Sequence, residues 1–186
     1  MQLTFMGANR QVTGSRYCLE ANDTRVMIDC GLVQEHAFLG RNWETCPIAA
    51  GKIKALLLTH IHIDHSGLIP RFVRDGFKGR IFATRPTVDL ADVVLRDSAH
   101  IQEEDAAYKE KRHRREGRRG RYPEKPLYTT ADVEWALRSF RDVDYDKVVS
   151  VAKGIDVVFR DAGHILGSAM LELQVTENGT QRRIVF

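Results

Sequence analysis

Long apolar segments are absent from this 186-residue sequence. No stretch approaches the roughly 18 apolar residues that span a membrane, and the first residues, MQLTFMGANR, lack the pattern of a signal peptide. Cysteine is scarce, since only Cys18, Cys30 and Cys46 occur, and they show no C-x-x-C spacing. This odd number predicts reduced thiols, with Cys18 and Cys30 packed as small hydrophobic residues. We therefore expect a cytoplasmic protein with no membrane contact.

A net excess of positive charge is absent outside one short segment. The net charge is +3, yet residues 109–121 hold eight basic and two acidic residues, a local charge of +6 that leaves −3 for the remainder. Gly117, Gly120 and Tyr122-Pro123 predict a basic loop, or a frayed helix end, over about 109–125. Two interpretations stay open, a solvated tract and a contact surface for a nucleic-acid phosphate backbone. On the second interpretation the candidate contacts are Arg112, Arg114, Arg115, Arg118 and Arg119.

The densest group of potential metal ligands follows an apolar run. Residues 55–58 are Ala-Leu-Leu-Leu, which is typical of a strand buried on both faces. His60, His62, Asp64 and His65 come next, at the carboxyl end of the predicted sheet, where ligands bind in open α/β folds. In an extended segment His60, His62 and Asp64 point to the same side, and His65 faces a second point close by. Imidazole and carboxylate groups bind zinc, iron or manganese, so we predict a metal site.

Two further polar residues follow predicted strands. Asp29 ends the apolar strand 25–29, and His164 stands between glycines directly after the strand 155–160. Asp29 is compatible both with capping a turn and with belonging to the site. His164 repeats the layout of the first group, and we predict that it supplies the further imidazole that the metal site needs.

The rest of the pattern predicts one α/β domain. Additional strands are expected at 2–6, 15–20, 80–83 and 147–151, and Asn178-Gly179 predicts a hairpin between 169–175 and 182–186. A short helix is expected at 67–75, and Pro86 opens a long helix with Leu90, Val94 and Ile101 on one face. A capping box at Thr129 and Asp132 predicts a helix over 130–140.

The pattern His-x-His-x-Asp-His at residues 60–65 resembles the signature of the metallo-β-lactamase superfamily. This resemblance implies an αββα sandwich, two sheets between helices with a one- or two-metal site at one edge. Further motifs resemble the β-CASP group of RNA-processing nucleases, which includes the cleavage and polyadenylation endonuclease and its bacterial and archaeal relatives. They are GANRQVTGSRYCLE (7–20), MIDCGLVQE (27–35), DAGHILGSA (161–169) and, as in the bacterial members, DSAHIQEED (97–105).

The resemblance implies a zinc-dependent ribonuclease that acts on RNA. His60, His62 and His164 would bind one zinc, and Asp64 and His65 would bind a second, with Asp64 taking part in catalysis. Asp29 would support the metal-binding loop without binding metal. The five arginines named above would be the possible RNA contacts.

The family pattern continues beyond what this sequence contains. In the family, an Asp after Phe-Ser-Gly bridges the two metals, and a later His beyond an inserted β-CASP domain completes the second site. Neither is present, so residues 1–186 resemble the N-terminal part of an incomplete sandwich, and the missing C-terminal part of the same protein is an expected partner. We therefore expect a weak second zinc site and little nuclease activity from this chain alone.

Two other functions remain open. A small-molecule hydrolase of the same superfamily, acting on thioesters or lactams, is disfavoured by the basic run and by the 7–20 and 161–169 motifs. A non-catalytic scaffold would be favoured by degenerate ligands, whereas the five metal-ligand candidates are intact.

Overall fold

Two β-sheets pack face to face in the computed structural model, which describes residues 1–186. The first sheet has the order β1 (Gln2–Gly7), β2 (Arg16–Ala21), β3 (Thr24–Ile28), β4 (Ala55–Leu57), β5 (Arg80–Thr84) and β6 (Phe140–Val143). β1 to β3 form an antiparallel meander, whereas β3 to β6 pair in parallel. The second sheet is antiparallel, in the order β10 (Thr180–Val185), β9 (Ala169–Glu177), β8 (Ile155–Asp161) and β7 (Val148–Ala152).

The helices cover the outer face of the first sheet. They are α1 (Ile63–Ser66), α2 (Ile69–Arg74), α3 (Arg85–Glu116) and α4 (Thr130–Leu137), with 3₁₀ helices at His36–Trp43 and Ala50–Lys52. This mixed α/β fold of two sheets and one helical layer agrees with the incomplete αββα sandwich that the resemblance to the metallo-β-lactamase superfamily implies. None of these helices combines the length and the apolar run that crossing a membrane requires.

Strand β4 shows why the first sheet lies at the centre. Leu56 packs with the helices, and Ala55 and Leu57 pack against the second sheet, so both faces are buried. Side chains alternate between the faces of a strand, and a continuous apolar run is therefore needed here. Burying one such Leu side chain stabilises the fold by about 1.5–3 kcal/mol. Cys18 and Cys30 are free and buried in the helix-side core, as predicted, and burial raises the pKa of each thiol to about 11.

The capping box at the start of α4 is confirmed, because Thr129 Oγ1 accepts from the Asp132 amide and the Asp132 carboxylate accepts from the Thr129 amide. The helix ends earlier than predicted, since Phe140 already begins β6. The hairpin turn at Asn178-Gly179 is also confirmed, between β9 and β10.

The predicted apolar face of α3 was wrong. The buried face consists of small residues such as Ala91 and Ala99 together with Leu95, whereas Ile101 is 56% exposed. The small side chains let α3 approach α4 and the sheet closely. This close packing, and not the position of the larger apolar residues, decides which face of α3 is buried.

For the segment 109–125 the sequence left open a basic loop or a frayed helix end, and the loop is wrong for its first part. Residues 109–116 continue α3, which ends where Gly117 adopts a left-handed conformation. Lys, Arg and Glu are good helix formers, and basic side chains in the last turn interact favourably with the helix dipole. Only the part after Gly117 is irregular.

Candidate metal centre

Three histidines from two loops meet at the carboxyl edge of the first sheet. His60 and His62 follow β4, and His164 follows β8. Their ring centroids lie 4.9–5.0 Å apart, and the potential ligand atoms of all three lie within 4.8 Å of one another. The structure therefore brings together residues more than one hundred positions apart in the chain, as the sequence predicted.

The spacing of these nitrogens suits a divalent metal. His164 Nε2 and His62 Nδ1 are 3.3 Å apart. Two nitrogens at 2.0–2.1 Å from a tetrahedral zinc are separated by about 3.3 Å. Nδ1 of His60 is 3.0 Å from Thr59 Oγ1, which leaves its Nε2 as the nitrogen available to a ligand. The donor set fits one metal bound by three imidazoles.

His60 is kept in the state that binds metal. Burial, followed by the neighbouring rings of His65, His62 and His164, lowers the pKa of His60 to about 3. A neutral imidazole offers a lone pair, whereas an imidazolium does not. The protein environment thus holds this ring neutral throughout the physiological pH range.

Asp29 lies directly beneath the histidines and is only 2% exposed. Its Oδ2 is 2.6 Å from His65 Nδ1, and its Oδ1 accepts from the Thr59 amide at 2.9 Å. Ser15 Oγ donates to Oδ2 at 3.2 Å. Asp29 has a φ of 55°, a left-handed conformation that Asp tolerates better than most residues, and this turns its carboxylate under the loop.

Asp64 and His65 lie beside the three-histidine group, in the helical turn α1. The expectation that Asp64 projects to the same side as His60 and His62 from an extended segment was wrong, because residues 63–66 are helical. Asp64 instead faces His65, with 3.7 Å between Asp64 Oδ2 and His65 Nε2. Burial opposes protonation of His65, but the hydrogen bond and charge of Asp29 and the charge of Asp64 outweigh it, so the pKa of His65 is raised.

The loop that carries His164 is fastened to α3 and β5 by two threonines. Thr84 Oγ1 and Thr87 Oγ1 both donate to the Gly167 carbonyl, at 2.5 and 2.8 Å. Gly167 has a φ of 85°, and a Cβ there would lie 2.6 Å from the Thr87 amide nitrogen, so glycine is required. Ser168 Oγ accepts from the His164 amide at 3.1 Å. The position of His164 is therefore set by buried contacts on both sides of the loop.

A second glycine allows the chain to cross beneath the other loop. A Cβ on Gly31 would lie 1.6 Å from the carbonyl oxygen of Asp64. The Asp64 carbonyl accepts from the Ser15 amide at 2.8 Å, and Gly31 in turn donates to the Ser15 carbonyl at 2.9 Å. Sequence patterns missed these supports, because each depends on a contact between distant segments. The only local signal was a small residue directly after a strand or before a turn.

The basic residues lie elsewhere. Arg112, Arg114 and Arg115 project from the last turns of α3, and Arg118 and Arg119 follow Gly117. Twenty-nine residues separate Thr87, near the His164 loop, from the end of α3, which is about 43 Å along the helix. No hydrogen bond or ion pair joins any of these arginines to a residue of the metal centre.

The comparisons with known proteins agree with this geometry. Residues 18–185 match the family described as a metallo-beta-lactamase superfamily domain. Ribonuclease TTHA0252 of Thermus thermophilus is 33% identical over 188 residues, covering 100% of this chain and 37% of that protein. The transcription termination factor FttA of Methanocaldococcus jannaschii is 30% identical over 180 residues, covering 95% of this chain and 25% of that factor.

The solved structures show the same fold. MEM-A1, a subclass B3 metallo-beta-lactamase isolated from a soil metagenome library, superposes with a TM-score of 0.58 at 19% identity, over 99% of this chain and 59% of that chain. The chain spans 37% or less of the length of the two curated relatives named above, the ribonuclease and the termination factor. The family match, the fold and the clustered histidines together show that the chain belongs to the metallo-β-lactamase superfamily.

Proposed function

We propose that this chain carries part of the catalytic site of a zinc-dependent, cytoplasmic ribonuclease of the β-CASP type. The observation that carries the proposal is the convergence of His60, His62 and His164, whose potential ligand atoms lie within 4.8 Å of one another. The similarity to a protein named ribonuclease TTHA0252 supports RNA as the substrate. The DAGHILGSA motif at 161–169 supports the β-CASP group within the superfamily.

The three histidines would hold the first metal, and Asp64 with His65 would hold the second. Divalent metals bound there would supply a water of lowered pKa and positive charge for the scissile phosphate. Asp64 would be the catalytic carboxylate, and its Oδ2 lies 3.7 Å from His65 Nε2. Asp29 binds no metal; it accepts from Thr59 and fixes the ring of His65 so that Nε2 faces Asp64.

The second metal is expected to bind weakly in this chain. Only the Asp64 carboxylate and His65 Nε2 lie together there, whereas three imidazoles share the first site. A two-metal phosphodiester cleavage needs both ions to hold the attacking and leaving oxygens. Residues 1–186 alone should therefore show little RNA hydrolysis, and the site is completed by residues of a longer polypeptide.

Metal content and RNA turnover test the proposal. Elemental analysis of the purified chain should find close to one zinc per molecule, and His62→Ala should remove it. A longer polypeptide that contains this chain should hydrolyse single-stranded RNA with added zinc, and His62→Ala should abolish this. Hydrolysis of a lactam or a thioester in preference to RNA, or an absence of zinc, would overturn it. RNA turnover by residues 1–186 at the rate of the longer polypeptide would refute the weak second site.

A further inference from the structure

The last turns of α3 form an exposed surface with one aromatic residue among cations. Tyr108 is 63% exposed although it belongs to a helix whose opposite side is buried at Ala106 and His113. At 100° per residue, Lys111, Arg112 and Arg115 lie on the same side of the helix as Tyr108. An open groove of about 390 Å³ is lined by Tyr108, Lys111, Arg112, Arg114 and Arg115.

The cations of this groove are largely without acidic partners. Lys111, Arg114 and Arg115 form no ion pair, while Arg112 makes one long contact to Glu116, at 4.0 Å. Arg112 also places its guanidinium carbon 5.8 Å from the centre of the Tyr108 ring. Its buried Nε has no hydrogen-bond partner. Elsewhere on α3 the pattern differs, since Arg85, Arg96 and Lys109 are each paired with an Asp four residues away.

An exposed aromatic ring beside unpaired cations is chemically suited to a single-stranded nucleic acid. The face of a tyrosine stacks on any base, and the arginines and lysine attract the phosphates that flank it. A duplex hides its base faces, so it would use only the cations. Four positive groups around one ring therefore favour a single strand over a duplex or an acidic peptide.

We propose that Tyr108, with Lys111, Arg112, Arg114 and Arg115, forms an anchoring site for single-stranded RNA that is separate from the metal centre. The inference rests on the proposed function, since it takes RNA as the substrate. Tyr108 and Arg115 lie 21 and 28 residues beyond Thr87, which is about 32–42 Å along α3 from its contact with the His164 loop. A strand that follows α3 between these points needs about 9–12 nucleotides at the 3.4 Å spacing of stacked bases. RNA is thus held near the end of α3 while another segment of the strand enters the metal centre.

Binding of fluorescently labelled RNA to the whole chain tests the proposal without any hydrolysis. The probe is a 20-nucleotide uridine-rich single strand, measured by anisotropy in EDTA at several salt concentrations. Tyr108→Ala should weaken binding roughly 5- to 150-fold with an unchanged salt slope, whereas Tyr108→Phe should bind as the wild type does. The triple change Lys111→Gln, Arg114→Gln and Arg115→Gln should weaken binding and reduce the salt slope by about two, because each neutralised phosphate contributes about 0.7 to the slope.

The matched control removes three exposed cations from the second sheet and its entry, Lys147→Gln, Lys153→Gln and Arg182→Gln. This control has the same net charge as the triple variant and should bind within about twofold of the wild type, since the anchoring residues are intact. Equal weakening by the two triples, or wild-type binding by Tyr108→Ala, would overturn the site. The site would also be overturned if a duplex of the same length, or vesicles with anionic lipid, bound as tightly as the single strand and Tyr108→Ala did not weaken that binding.

The same measurements separate this proposal from the proposed function. The anisotropy measurements are made in EDTA, so they depend neither on metal binding nor on hydrolysis. If RNA binds in this way but is not hydrolysed by any polypeptide that extends beyond residues 1–186, the nuclease assignment alone fails. If RNA is hydrolysed but Tyr108→Ala changes neither affinity nor KM for a long substrate, the anchoring site alone fails.

Discussion

The two loops that carry His60 to His65 and His164, here called the metal loops, differ from the basic end of α3 in how they hold their functional side chains. At the metal loops, each histidine is positioned by backbone that is itself tied down, through Asp29 under one loop and the threonine contacts to Gly167 under the other. At the end of α3, Lys111, Arg114 and Arg115 extend into solvent without ion-pair partners. In the first region buried hydrogen bonds fix the positions of the side chains, whereas in the second only the local density of positive charge is set.

The difference follows from what each ligand demands. A metal requires donor atoms within tenths of an ångström of a fixed geometry, which flexible side chains on a mobile loop cannot maintain. A phosphate backbone is attracted over a Debye length of roughly 8–10 Å and tolerates many side-chain positions. Substitutions that disturb the backbone should therefore damage the metal loops far more than the helix end.

Gly31→Ala should have the largest effect. A Cβ there would lie 1.6 Å from the Asp64 carbonyl oxygen, so the close contact between α1 and the segment that follows β3 must open. We expect a loss of more than about 4 kcal/mol in the free energy of unfolding, measured by urea denaturation. Gly51→Ala is the control, because its nearest neighbour is 3.5 Å away, and it should change stability by less than about 1 kcal/mol. Similar stability of both variants would show that this contact is not fixed.

His164→Ala should have the next largest effect, on metal affinity. It removes one of three imidazoles but leaves Gly167 and Ser168 in place, so the fold should survive. We expect zinc affinity to fall by more than about 100-fold, beyond the range for residues that only support a ligand. Competition with a chromogenic chelator measures this. His100→Ala, on the exposed face of α3, should leave zinc affinity unchanged.

Asp29→Asn should reduce metal affinity by a smaller factor. Asparagine tolerates the left-handed conformation of residue 29, so the backbone is retained while the charge beneath His65 is removed. Loss of such a support typically costs 10–100-fold in affinity, and we expect about this reduction in the same competition measurement. An unchanged affinity would mean that Thr59 and Ser15 alone hold the loop.

Much of this first region could be predicted from the sequence, because its signals are local. The buried strand at 55–57, the histidines that follow it and the glycines around His164 all lie in short stretches with a clear pattern. Their convergence did not follow from one sheet alone, because β4 lies in the first sheet and β8 in the second. It was predicted because His164 repeats the layout of the first group, directly after a strand, and because the family resemblance implies it. The helical turn at Asp64 was missed because four residues are too few to show a period.

The helix end was harder to predict. Glycines at 117 and 120 suggested a loop, but helix propensity and the pairing of Lys109 with Asp105 carry α3 to Glu116. The burial of His113 among arginines had no local signal either, because its partner Glu124 lies beyond the turn. Composition predicted the charge of this region, whereas only the folded structure shows which of its side chains is buried and hydrogen-bonded.

His113→Gln should have a moderate effect that is confined to the helix end. The ring is 5% exposed and bonds to the Glu124 carboxylate, which also accepts from the Gly120 amide at 2.9 Å. Loss of this buried hydrogen bond should cost about 1–2 kcal/mol and increase hydrogen exchange over residues 117–127. Zinc affinity should be unchanged. Faster exchange at the metal loops would instead show that the two regions unfold together.

The smallest effect on stability is expected for the double change Arg114→Ala and Arg115→Ala. Losing two cations from the last turn weakens their interaction with the helix dipole, while alanine has the higher helix propensity and removal of both charges relieves repulsion within the +6 segment. These contributions oppose one another, so the free energy of unfolding should change by less than about 0.5 kcal/mol in urea. A loss above about 2 kcal/mol would make the arginines part of the fold. Unchanged stability with weakened RNA binding would show that their charge is free to act on a ligand, in contrast to every polar group under the metal loops.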